Sequence, residues 1–157
     1  MMNDMTNQGT IAAGENELVE VRVIDAPRET VFRAWTDPAL LARWWGPRGF
    51  TNTFSSFDLR PGGTWEFVMH GPNGTDYPNT NVFVEIVQPE RIVLKHIKAP
   101  VFVLTALFED VDGMTRVVFR QQFETAAVYE QVKVYAGRGN EENLERLAEV
   151  VAGLSAD

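Results

Sequence analysis

The sequence predicts an α+β domain: a curved antiparallel sheet of about six to seven strands wrapped around a long C-terminal helix, with two short helices after the first strand. Three observations point to it. Segments of alternating apolar and polar residues follow one another from residue 50 to residue 123, separated by turn signals. A helical apolar pattern then runs from about Thr125 to Leu154. No second run of elements follows, and 157 residues make one domain. A run of strands followed by a helix is the pattern of an antiparallel sheet with one face covered, and only the last helix is long enough to cover it.

The elements follow in order. In Glu17 to Asp25, Val19, Val21 and Val23 share one face, and Glu20 and Arg22 the other, which reads as a half-buried strand. Pro27 suits the first turn of a helix because its missing N–H would be unpaired there. Val31, Phe32 and Trp35 form that helix's apolar face. Asp37-Pro38 is an N-cap and first residue for a second short helix, with Leu40, Leu41, Trp44 and Trp45 apolar, ended by Gly46-Pro47.

Strands are expected over Phe50 to Leu59, Thr64 to His70, Asn81 to Val87, Arg91 to Ile97, Val101 to Glu109 and Thr115 to Phe123. Gly71 to Asn79 reads as an exposed loop, and Asp112-Gly113 as a hairpin turn. In the terminal helix, Gly137 and Gly139 each cost about 1 kcal/mol in an interior, so either two helices meet there or one passes through a weak point. If it is continuous, its stripe passes Ala136, Gly139 and Asn143, small residues where a ligand can approach closely. Residues 1–16 lack a basic and apolar leader and read as a mobile tail; residues 17–154 form the domain.

Composition excludes several functions. Net charge is −8, and the 14 basic residues form no run, so neither nucleic acid nor an anionic membrane surface is an expected partner. No apolar run approaches the roughly 20 residues that span a bilayer, so no membrane insertion is expected. There is no cysteine, hence no disulfide framework and no thiol chemistry; cytoplasmic residence fits this. The two histidines, His70 and His96, lack metal-ligand spacing, so neither a metal nor any other cofactor is expected.

Asp25-Ala26-Pro27-Arg28, Val31-Phe32, Ala34-Trp35-Thr36-Asp37-Pro38 and Trp44-Trp45-Gly46-Pro47 resemble the opening of the START-like (SRPBCC) superfamily. The subgroup is the one named for the C-terminal domain of the Aha-type activator of the heat-shock chaperone ATPase. The likeness continues through Asp58-Leu59-Arg60-Pro61-Gly62-Gly63, Trp65, Tyr77-Pro78, Glu85-Ile86-Val87, Pro89-Glu90-Arg91 and Leu144-Glu145-Arg146-Leu147, over about residues 17–154. Asn140, where members often carry Trp or Gly, and Asn81, in place of a common Gly, depart from the pattern. The resemblance implies the helix-grip fold but no single function.

Three readings of function follow. The first is binding of a small hydrophobic or amphipathic ligand in a cavity between sheet and terminal helix. Trp65, Phe67, Met69, Phe108, Phe119, Gln121, Val132 and Tyr135 are its candidate walls, against solid packing of the same aromatics. The second is a polyketide cyclase/dehydratase-like or hydrolase-like enzyme with Glu85 or His96 as acid/base group. Glu85 enters the cavity only if it faces inward with Phe83 and Val87; otherwise it is solvated or paired with Arg91 or Arg120. His96 shares parity with Ile92 and Leu94, and a semi-buried histidine making one hydrogen bond is favoured over a catalyst. The third reading, a chaperone-activator-like interaction protein, ranks last. A homodimer is compatible with the exposed sheet and rim tryptophans, although no motif specifies one.

Overall fold

The computed structural model describes residues 9–14 and 16–155. Among them, eight strands and three helices follow in the order β1 (Gly9–Gly14), β2 (Glu17–Ile24), α1 (Arg28–Thr36), α2 (Pro38–Trp44), β3 (Thr51–Phe57), β4 (Thr64–His70), β5 (Asp76–Val87), β6 (Arg91–His96), β7 (Phe102–Val111), β8 (Met114–Phe123) and α3 (Ala126–Ser155). The strands form one antiparallel sheet in the order β1-β2-β8-β7-β6-β5-β4-β3. β2 pairs with β8, so α1 and α2 carry the chain from one side of the sheet to β3 at its far edge. α3 lies across the face on which Leu18, Leu104, Phe119 and Phe123 point inward. This is the expected helix-grip architecture, with β2–β8 supplying seven strands and β1 an eighth.

The helix starts are chemically legible. The Asp37 carboxylate accepts from the Ala39 N–H at 3.0 Å and caps α2. Thr125 Oγ1 accepts from the Val128 N–H at the start of α3. α3 is continuous through Gly137 and Gly139, which settles the open alternative in favour of one helix.

Two expectations are corrected. Residues 9–14, read as part of a mobile tail, form β1 against β2; residues 1–8 and 15 lie outside the described residues. The expected loop Gly71 to Asn79 is loop only to Thr75, because β5 begins at Asp76 and pairs Tyr77 with Met69 across the hairpin. In β2 residues of both faces are buried. Val19 and Val21 pack with Val118 in a separate cluster, while Glu20 lies opposite Phe119 on the helix side and is buried. Alternation identifies two faces but does not say which one the helix covers.

Glu85 takes the outward alternative, paired with Arg91. A bulge places Val84 as an extra residue between the pairs Phe83–Leu94 and Glu85–Val93. It reverses parity, so Phe83 and Ile86 both pack on the core and Glu85 turns outward.

Candidate functional site

One end of the helix-covered face is solid. Trp65 stacks on Phe67 with centroids 4.4 Å apart and meets Trp45 edge-on at 4.9 Å. Phe108 packs edge-on against Phe32 and Trp35. The Trp44 indole N–H donates to the Ala34 carbonyl at 2.9 Å, which locks α2 onto α1.

Toward the other end, beneath the middle of α3, the packing leaves a cavity of about 190 Å³. Its floor is Met69, Phe102, Leu104, Phe119 and Gln121 from the sheet. Its roof is Tyr135, Ala136, Gly139, Asn140 and Asn143 of α3, and Trp45, Gly46 and Pro47 close one side. Tyr135 is 66% exposed, whereas Leu104 and Phe119 are buried, so the mouth lies at Tyr135 and the depth at the sheet.

The loop that closes the side is clamped to the C-terminal half of α3. The Arg146 guanidinium donates to the carbonyls of Arg43, Trp45, Gly46, Pro47 and Phe50 at 2.8–3.2 Å. The Gly46 N–H donates to Asn143 Oδ1 at 2.6 Å. Arg48 pairs with Glu145 and Glu149. Gly46 needs its identity: φ is +99°, and a Cβ there would stand 2.7 Å from the Met69 methyl.

Three amide side chains, of Gln121, Asn140 and Asn143, and the Tyr135 phenol border the cavity. Asn140 Nδ2 donates to Gln121 Oε1 at 2.9 Å, and Asn143 holds Gly46. Among the described lining residues there is no carboxylate, imidazole, ammonium or guanidinium.

Of the residues anticipated as walls, Met69, Phe119, Gln121 and Tyr135 border this cavity. Trp65, Phe67 and Phe108 do not, because they fill the solid end. Val132 does not either: it packs with Leu18 and Phe123 nearer the start of α3. Phe102 and Leu104 were missed, although both share strand parity with Phe108. Ala136, Gly139 and Asn143 are the small-residue stripe that a continuous helix would carry. Trp45, expected on the apolar side of the second short helix, is a wall as well.

Neither acid/base candidate borders the cavity. Glu85 accepts from Arg91 at 2.8 Å on the outer face. That hydrogen bond holds its carboxyl below the ordinary range against a weaker opposing effect of burial. His96 is buried, stacks on Phe102 at 4.7 Å, and pairs through Nδ1 with Asn81 Oδ1 at 3.0 Å. Burial, aided by the Lys98 charge, pushes its pKa down to about 4. It stands one ring behind the cavity wall.

Sequence reasoning also missed a hydroxyl–imidazole–carboxylate row. His70 Nε2 lies 2.8 Å from Thr53 Oγ1, and its Nδ1 lies 2.7 Å from Asp76 Oδ1. These groups sit on the outer face of β3, β4 and β5, away from the cavity. A nucleophilic site needs a pocket beside the hydroxyl and donors aimed at a developing oxyanion, and the row borders none of the cavities described.

Residues 25–152 match the family model described as activator of Hsp90 ATPase homolog 1-like protein. The chain belongs to this family. Solved structures similar to it include a protein from Nitrosomonas europaea (23% identity, TM-score 0.82, 92% of this chain and 99% of that one). Another is a protein from Rhodobacter sphaeroides (25% identity, TM-score 0.83, 92% and 97%). A third is an AHSA1-like protein from Aeromonas hydrophila (22% identity, TM-score 0.74, 90% and 95%). Likenesses this distant establish the fold. No match was found among curated proteins.

Proposed function

We propose that this member of the activator-homolog family holds a small apolar or amphipathic molecule between its sheet and α3. The observation that carries the reading is the cavity of about 190 Å³, bordered by aromatic and aliphatic side chains with three amides at its wall. Its size suits one ring or a short chain: an apolar cavity of about 150 Å³ accepts benzene, and drug-sized ligands need roughly 300 Å³ or more. The enzyme reading loses support, because Glu85 faces outward and His96 is held behind Phe102 by Asn81.

Titration with toluene, followed by backbone amide NMR, tests the reading. Saturable shifts confined to Gly46, Gln121, Gly139 and their neighbours are expected. Shifts that spread evenly over the sheet, or that never saturate with toluene or with its polar analogue benzamide, would refute it.

A further inference from the structure

We infer that the cavity selects an uncharged ligand whose polar head both donates and accepts a hydrogen bond, read by the Gln121–Asn140 amide pair. This rests on the ligand-binding reading above and adds the chemical class to it.

Gln121 is held by β8 and Asn140 by α3, so their bond crosses from floor to roof. Each primary amide offers two donors and two acceptor positions. The mutual bond uses one N–H of Asn140 and one acceptor position of Gln121. Gln121 Nε2 and Asn140 Oδ1 have no partner among the described residues, yet neither is among the side-chain atoms sealed from solvent without one. Both residues border the cavity, so these two atoms are the polar edge the pair can offer a guest there. Exchanging O and N in both amides reproduces the same display: one donor and one acceptor side by side.

A carboxamide, a protonated carboxylic acid or a phenol complements that edge. A purely apolar guest would strip both atoms of water and return nothing. A carboxylate or ammonium would be desolvated with no counter-charge on the wall. A merely structural pair would tie α3 to the sheet equally well in apolar form, and Asn is a poor residue for a helix interior.

Three single-ring probes separate the possibilities: benzamide, toluene and benzoate at pH 7. In the wild-type protein, benzamide is expected to move the side-chain NH₂ signals of Gln121 and Asn140 further than toluene does, because it adds a hydrogen bond to the ring current both guests share. Benzoate should bind at least about tenfold more weakly than benzamide. Replacing both amides together (Gln121→Leu with Asn140→Leu) avoids leaving one unpaired. It should move the benzamide-to-toluene preference about tenfold toward toluene, the worth of one good hydrogen bond.

Should the double variant fail to fold, the wild-type side-chain signals and the benzoate comparison still decide. Saturable binding in which benzamide moves the NH₂ signals no further than toluene does, or tightest binding by benzoate, overturns this inference and leaves the ligand reading standing. Absence of saturable binding by toluene and benzamide alike removes both.

Discussion

The two halves of α3 are held by different chemistry. From Asn140 to Val151, Leu144, Leu147, Val150 and Val151 are buried, and Asn143, Arg146 and the Arg48 partners grip the loop after α2. From Ala126 to Gly139, Val132 is the one buried side chain, Val134 is 81% exposed, and two glycines interrupt the side-chain cover. The cavity lies where the first regime gives way to the second. One half is an anchor and the other a roof. A ligand site between them gains a rigid wall and a wall with little apolar contact to break, the combination expected where a structure opens locally.

The comparison breaks most severely at Arg146. Its guanidinium satisfies five carbonyls in the last turn of α2 and the loop after it, where helix carbonyls lack intrahelical partners. Arg146→Met keeps much of the apolar stem and removes the donors. Stability should fall by about 3 kcal/mol, within the range for breaking a partly buried charged network. Because the loop that falls free carries Trp45, Gly46 and Pro47, toluene binding should weaken as well. Urea denaturation and the toluene titration check both effects. An unchanged midpoint would mean that the apolar residues alone fix the anchored half.

The roof is sharpened by a pH experiment on His96, which stacks on Phe102 below it. Its pKa is about 4 in the folded chain, against about 6.5 when unfolded. Between these values the unfolded chain binds a proton that the folded chain refuses, so acid favours unfolding. The contribution is fully present above pH 6.5 and is lost as pH falls toward 4, by at most about 3 kcal/mol. His96→Gln can still donate to Asn81 but cannot titrate. Its stability should therefore decline less than wild type between pH 6.5 and 5. Parallel slopes in urea denaturation would show that His96 accepts its proton freely in the fold.

How much of this was legible depends on the distance over which each signal acts. Asp37-Pro38, the Asp112-Gly113 turn and the α3 stripe are local, and they predict their elements to within a residue or two. The burial of His96 also follows from parity with Ile92 and Leu94. Glu85 does not, because the bulge at Val84 inserts one residue and turns every later side chain over. No single residue type announces that bulge. The Gln121–Asn140 pair spans two elements, so the inward parity of Gln121 was readable but its partner was not. The cavity's position was hidden for a similar reason. Alternation told which aromatics face α3, while which of them crowd together depends on where α1 and α2 cross the sheet.

The smallest expected effect isolates the boundary between anchor and roof. A Cβ on Gly139 would meet Pro47 Cγ at 3.5 Å, an ordinary van der Waals contact. Gly139→Ala should fit without strain and remove a helix-interior glycine, raising stability by about 1 kcal/mol. For a chain of this size that is a rise of about 3 °C in Tm. The same methyl bridges the roof to Pro47 across the cavity wall, so toluene should bind severalfold more weakly. Stability and affinity then move in opposite directions, which a general loosening or tightening of the fold would not produce. If affinity rises together with Tm, Gly139 serves the helix alone and the cavity is entered elsewhere.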